Sequence, residues 1–150
     1  LNLSGMLDEL NKAVLDRKVP VLGVCVGMQM MAKGSDEGSS KGLGWIDANI
    51  QHFSKLTNKK LDLPHMGWND IQVYKEHPLF NSLEKDAIFY FLHSYYFQEK
   101  DNSQIITKTD YGSFFTSCTI KDNIYGVQFH PEKSHRWGVQ LLKNFSELTC

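Results

Sequence analysis

The stretch that decides the fold is Val19-Pro20-Val21-Leu22-Gly23-Val24-Cys25-Val26-Gly27. Val19 to Val24 is a short, almost uninterrupted apolar run, the pattern of a strand covered on both faces inside a parallel sheet. Upstream, from Leu3, the apolar residues Met6, Leu7, Leu10 and Val14 recur at helical spacing until Arg17 and Lys18, which predicts an amphipathic helix. Downstream, Met28 to Lys33 favours helix, and Gly34, Ser35, Gly38, Ser39, Ser40, Gly42 and Gly44 mark a mobile loop. Helix, buried strand and helix in succession point to an α/β fold.

Further along, Ile46, Ala48 and Ile50 alternate with Asp47, Asn49 and Gln51, predicting a half-buried strand, and a loop follows up to Pro64. Ile71–Tyr74, the aromatic segment Ala87–Phe97, Gln104–Thr109, Phe114–Ile120 and Ile124–Phe129 read as strands. A last helix carries Val139, Leu142 and Phe145 on one face, with Leu141 and Leu148 alongside. The strand-rich middle implies antiparallel strands added to a parallel core.

Composition narrows the classes. A chain of 150 residues buries roughly 70% of its unfolded surface, enough for one core. Lys plus Arg total 16 and Asp plus Glu 17, so the net charge is −1, and 22% charged residues exclude a disordered tail. Near-neutral charge removes the simplest argument for nucleic acid or a membrane surface as partner. The longest apolar candidate for a span, Val19 to Met31, is interrupted by Pro20, Gly23, Gly27 and Gln29. Cys25, Cys118 and Cys150 show no repeating spacing and no leader precedes them, so a reducing, cytoplasmic setting is expected. The chain starts at Leu1 rather than Met, and a piece of a longer product is expected.

Gly23-Val24-Cys25-Val26-Gly27 places a thiol where a buried strand turns into a helix, a G-x-C-x-G counterpart of the G-x-S-x-G nucleophile elbow. The tight turn is expected to tolerate no bulky flank. Free N–H groups at the helix start are expected to favour the thiolate. The Val26 N–H would supply half of an oxyanion hole. A buried structural cysteine is the competing reading. The base comes from Tyr125-Gly126-Val127-Gln128-Phe129-His130-Pro131-Glu132, where Pro131 biases His130 toward an extended conformation. Residues i and i+2 on an extended chain share a side, so Glu132 can hold one ring nitrogen of His130 and leave the other for Cys25. His130, Glu132 and His135 could suggest a metal, but no second cluster completes a tetrahedral site. The H-x-E of zinc deaminases lacks its downstream P-C-x-x-C here. No metal and no cofactor are expected.

With both segments in view, the sequence resembles the class I (triad) glutamine amidotransferases, and most of all the glutaminase subunits of imidazole glycerol phosphate synthase. The resemblance runs through PVLGVCVGMQMMA, GLGWIDA, LPHMGWNDI, FYFLHSYYF and NIYGVQFHPEKSH, from Pro20 to His135. It implies a flavodoxin-like, mostly parallel sheet flanked by helices, with added antiparallel strands. It also implies a triad of Cys25, His130 and Glu132, glutamine held by Gly27, Gln29 and Glu37, and the Ser94-Tyr95 stretch at the glutamine carboxylate. The implied reaction releases ammonia from L-glutamine through a cysteinyl thioester and passes it to a cyclase (synthase) partner in a heterodimer, with Trp68 and Lys133 at the interface. Residues 1–150 are then one glutaminase domain lacking the family's N-terminal strand, helix and P-G-x-G turn, and weak or no activity of these residues alone is expected. The alternatives are a sugar amidotransferase as ammonia acceptor, a cysteine peptidase and a catalytically inactive binding subunit.

Overall fold

The computed structural model describes residues 5–83 and 85–148. Leu3, where the first helix was expected to begin, and Cys150 lie outside the described residues. Helix α1 (Met6–Asn11) runs on into a wider π turn over Lys12–Asp16 and buries Val14. It is followed by β1 (Val21–Val24), the short helix α2 (Val26–Met30), β2 (Gly34–Ser35) and β3 (Ala48–His52). Next come β4 (His65–Asp70), β5 (Gln72–Val73), β6 (Ile88–His93), β7 (Tyr95–Glu99), β8 (Ile105–Asp110), β9 (Phe114–Lys121), β10 (Ile124–Val127) and α3 (His135–Leu148).

The main sheet has the order β1-β10-β9-β7-β3-β2, with β8 paired to β9 and β5 to β8, while β4 and β6 form a separate two-stranded sheet. The α/β class stands. Among the described residues, parallel pairing is confined to β1·β10 and β2·β3, so the antiparallel additions form a larger share than the resemblance implied. The reason lies in β9, whose eight residues serve β10, β8 and β7 in turn, all antiparallel.

Three expectations change. The aromatic segment Ala87–Phe97 is two strands in two sheets, because the chain crosses at Ser94, whose carbonyl accepts the Phe53 N–H at 3.1 Å. His65–Asp70, not read as a strand, pairs along its whole length with β6. In α3 the inward residues are Gly138, Leu141 and Asn144, while Val139 is 67% exposed. The helix is turned this way by two contacts: the Asn144 amide donates to the carbonyls of Leu79 and Asn81, and Gly138 sits against Pro131.

One side of the core is aromatic, with Phe53, Phe89, Phe91, Phe115 and Phe129 buried together. The other gathers Val14 from the π turn, Met28 from α2, and Met31, Ile46 and Ile50. Burying such side chains contributes roughly 1.5–3 kcal/mol each relative to exposure.

Candidate active site

Two strand ends build the site. β1 and β10 are parallel, with Gly23 opposite Gly126 and Val24 opposite Val127, so both chains leave the sheet side by side at their carboxyl ends. That edge is where open α/β sheets place ligands. Cys25 is the first residue beyond β1, and its N–H donates to the Val127 carbonyl at 2.8 Å. Gln128, Phe129 and His130 continue from β10.

Cys25 has φ 51° and ψ −107°, a conformation that a non-glycine residue adopts only when its surroundings impose it. The neighbours impose it tightly on one flank. A Cβ at Gly23 would lie 2.7 Å from the Gly27 backbone, whereas one at Gly27 would meet open space. Only the first of the two glycines is therefore required by packing.

His130 is held by β6 and by its own turn. Its N–H donates to the Tyr90 carbonyl at 2.8 Å, its carbonyl accepts from Ser134 Oγ, and the same hydroxyl accepts the Tyr90 N–H at 3.0 Å. His130 Nδ1 and Glu132 Oε1 are 2.7 Å apart. A carboxylate only accepts, so Nδ1 carries the hydrogen and Nε2 keeps its lone pair. That Nε2 is buried and has no hydrogen-bond partner among the described residues.

The thiol differs from expectation. Burial is the first cause that pushes the Cys25 pKa up, and the Glu132 carboxylate adds to it. The Val26 N–H, Gln128 and Lys133 pull the other way without prevailing. Desolvation disfavours the charged form, and α2, five residues long, has little dipole to oppose it. The Val26 N–H, expected to await an oxyanion, acts on the sulfur in this state. The thiol itself donates to the Leu92 carbonyl at 3.7 Å.

Beside the elbow lies a cavity of about 170 Å³ whose lining includes Val26, Gln29, Glu37, Ser40 and Lys41. It is smaller than the roughly 300–1,000 Å³ of pockets for drug-sized ligands and suits a single small metabolite. Gln29 Nε2 donates to the Tyr95 carbonyl at 3.3 Å and to Gln128 Oε1 at 3.1 Å. Both its hydrogens are used, which leaves Gln29 Oε1 as an acceptor. Ser94 and Tyr95 do not line the cavity; Tyr95 joins it through Gln29.

Trp68 and Lys133 stand on another face. Trp68 on β4 is 44% exposed, stacks on His135 at 5.3 Å and lies across from Tyr90 on β6. Lys133 Nζ sits 5.7 Å from the Tyr90 ring centroid. Around them Met66, Ile88 and Leu92 are exposed as well. Among the described residues no group of three His, Cys, Asp or Glu side chains could hold a metal ion, and no helix is long and apolar enough to cross a membrane.

Gln128, Tyr90 and Ser134 were missed from the sequence. Gln128 had a signal: it stands two residues before His130, so on an extended chain it faces the same side.

The family model of the class-I glutamine amidotransferases matches residues 4–148. The chain is 45% identical over 148 residues to imidazole glycerol phosphate synthase subunit HisH 2 of Pseudomonas aeruginosa, covering 99% of this chain and 72% of that one. It is 47% identical to subunit HisH of Leptospira interrogans and 48% identical to that of Bdellovibrio bacteriovorus, covering in each case 99% of this chain and 73% of the relative. Among solved structures, a glutamine amidotransferase superposes with a TM-score of 0.70 at 18% identity, over 99% of this chain and 70% of that one. A glutamine amidotransferase of Thermotoga maritima gives 0.63 at 17% identity, over 97% and 54%. The strand-end elbow, the histidine–carboxylate pair and these relationships together make the chain a member of the class I glutamine amidotransferase family, of its HisH branch.

Proposed function

We propose that the chain is a glutaminase subunit that hydrolyses L-glutamine and supplies the ammonia to a cyclase partner, as the name of its HisH relatives indicates for histidine biosynthesis. One observation supports the chemistry: a strained cysteine follows β1, and from the adjacent parallel strand β10 the chain leads to a histidine whose Nδ1 is tied to Glu132 and whose buried Nε2 has no hydrogen-bond partner among the described residues. The thiol donates instead to the Leu92 carbonyl, so Cys25 and His130 are not hydrogen-bonded in this state. A histidine nitrogen with a free lone pair is ready to take a proton.

Cys25 Sγ attacks the side-chain amide carbon of glutamine while its proton passes to His130 Nε2. Glu132 stabilises the imidazolium, and the Val26 N–H is one donor for the developing oxyanion. His130 gives the proton to the leaving nitrogen, ammonia departs, and a γ-glutamyl thioester remains. Water, deprotonated by Nε2, attacks the thioester and frees glutamate and the thiol. In the cavity, Glu37 offers a carboxylate and Gln29 an acceptor oxygen to the α-ammonium group, and the open backbone at Gly27 admits the substrate chain.

The partner face is the exposed side of β4 and β6. Met66 stands opposite Leu92, Trp68 opposite Tyr90 and Asp70 opposite Ile88, which makes an outward apolar stripe with Lys133 at its edge. Exposed aromatic and apolar residues in one stripe mark an interaction surface.

The test is glutamate release by the wild type and Cys25→Ser in the presence of the cyclase partner. A loss of about 10³-fold or more is expected, as for removal of a nucleophile acting with its base. Equal release by the two proteins would refute the assignment.

A further inference from the structure

Gln128 is wholly buried, yet both ends of its amide are engaged. Its Oε1 accepts from Gln29, and its Nε2 lies 3.6 Å from Cys25 Sγ. Which end faces the sulfur follows from a backbone carbonyl. The Tyr95 carbonyl can only accept, so the Gln29 group that meets it is the NH₂. That NH₂ also meets Gln128, which must present oxygen to it and therefore NH₂ to the sulfur.

The same carbonyl fixes a second chain. His93 Nδ1 lies 2.7 Å from it and must donate, so His93 Nε2 carries a lone pair. His65 Nδ1, 3.1 Å away, then donates to His93, and His65 Nε2 accepts from Asn69 Nδ2 at 3.2 Å. Asn69 is fixed in turn, because its NH₂ donates to the Asp110 carbonyl and its Oδ1 accepts the Asp70 N–H. Every direction from Asn69 to the sulfur is thus determined between two backbone carbonyls. Both imidazoles must be neutral, and burial lowers their pKa values to about 4 for His65 and about 3 for His93.

We propose that Gln128 stabilises the Cys25 thiolate through its amide N–H, and that the buried His65–His93 pair is a positioning device that holds the Tyr95 carbonyl in place, the group that sets the direction of this donor through Gln29. Once the thiol ionises, the Leu92 carbonyl that accepted its hydrogen becomes repulsive. The Val26 and Gln128 donors are what remain to offset that repulsion. The other charged groups acting on the sulfur are Glu132, which opposes ionisation, and Lys133, which favours it, both from the turn after His130. The proposal rests on Cys25 being the nucleophile.

The experiment is alkylation of Cys25 by iodoacetamide in the intact protein between about pH 6 and pH 10, followed on the Cys25 peptide by mass spectrometry so that the other cysteines do not contribute. Gln128→Met keeps the length and removes the donor. Its titration midpoint is expected about one pH unit higher, with alkylation near neutral pH about tenfold slower. His93→Phe should move the midpoint in the same direction by less, and His93→Asn, which keeps an N–H where Nδ1 stands, should return it toward wild type. A folded Gln128→Met protein that titrates with wild type overturns the proposal, and so does a wild-type midpoint in His93→Phe. If Gln128→Met does not fold, the His93 pair of variants decides. Alkylation needs no glutamine turnover, so absence of glutamate release would count against the proposed function and leave this measurement standing.

Discussion

Glu99 ends β7 with its side chain inside the sheet, 6% exposed. Thr116 donates to its Oε2 at 2.8 Å, and Oε1 is buried without a hydrogen-bond partner among the described residues. Burial, against the opposing pull of Thr116 and Lys108, raises the carboxyl pKa from 4.5 to about 7. The folded state therefore keeps its proton where the unfolded chain has lost it. Between these two values ionisation favours the unfolded chain, so the stability that the neutral carboxyl allows is present below about pH 4.5 and is lost as the pH rises through about 7. A shift from 4.5 to about 7, at 1.36 kcal/mol per pH unit, amounts to about 3 kcal/mol when complete, of which about 2–3 kcal/mol falls between pH 5 and pH 8. Glu99→Gln cannot ionise and keeps an acceptor for Thr116. Its own desolvation shifts stability equally at both pH values and drops out of the comparison, as do the histidines. Urea unfolding of both proteins at the two pH values should show the variant gaining about 2–3 kcal/mol on wild type from the lower to the higher pH, or roughly 5–10 °C in Tm for a domain of this size. Parallel pH profiles, within about 0.5 kcal/mol, would show that Glu99 titrates as an ordinary carboxylate and that its burial has no electrostatic consequence.

Two further outcomes follow from single contacts. A Cβ at Gly138 would stand 1.8 Å from the Pro131 carbonyl oxygen, so Gly138→Ala must push α3 off the turn that carries His130 and Glu132; the strain of about 1–3 kcal/mol should outweigh the gain in helix propensity, and glutaminase activity should fall by more than the melting temperature accounts for. Trp68→Ala should weaken binding of the cyclase partner by about 2 kcal/mol, close to 30-fold by titration calorimetry, without lowering the melting temperature of the free subunit, and an unchanged Kd would remove the β4–β6 face as the interface.

The elbow was legible because two local rules coincide there. An unbroken apolar run means a strand covered on both faces, and a glycine two residues before the cysteine answers a steric need, since a side chain at Gly23 would meet the Gly27 backbone. The His130–Glu132 pair forms, but not for the reason read from the sequence: Pro131–Lys133 is a 3-10 turn rather than an extended segment, and that turn brings Glu132 back to His130 Nδ1. What those rules leave out is the electrostatic balance at the sulfur. The helix start argues for a thiolate, but burial acts on the same atom and is larger, and burial is a property of the packed fold rather than of nine residues. The crossing at Ser94 escaped for a related reason. The residues from Ala87 to Phe97 are aromatic on both sides of it, so the composition does not change where the partner strand does.

Strand β4 is the most instructive case, because its pattern is present but inverted. His65, Gly67 and Asn69 face inward while Met66, Trp68 and Asp70 face outward, so the large apolar residues lie on the side open to solvent. An alternation that buries its apolar members would set this strand one residue out of register. Its polar members can face inward because each is satisfied there, His65 by His93 and Asn69, and Asn69 by the Asp110 carbonyl. Its apolar members face outward, Met66 largely exposed and Trp68 partly covered by His135 and Tyr90. One strand thus carries a hydrogen-bonded chain on its inner face and exposed apolar side chains on its outer face. A sequence rule that assumes one buried apolar face per strand has no place for a strand whose inward side is polar and hydrogen-bonded.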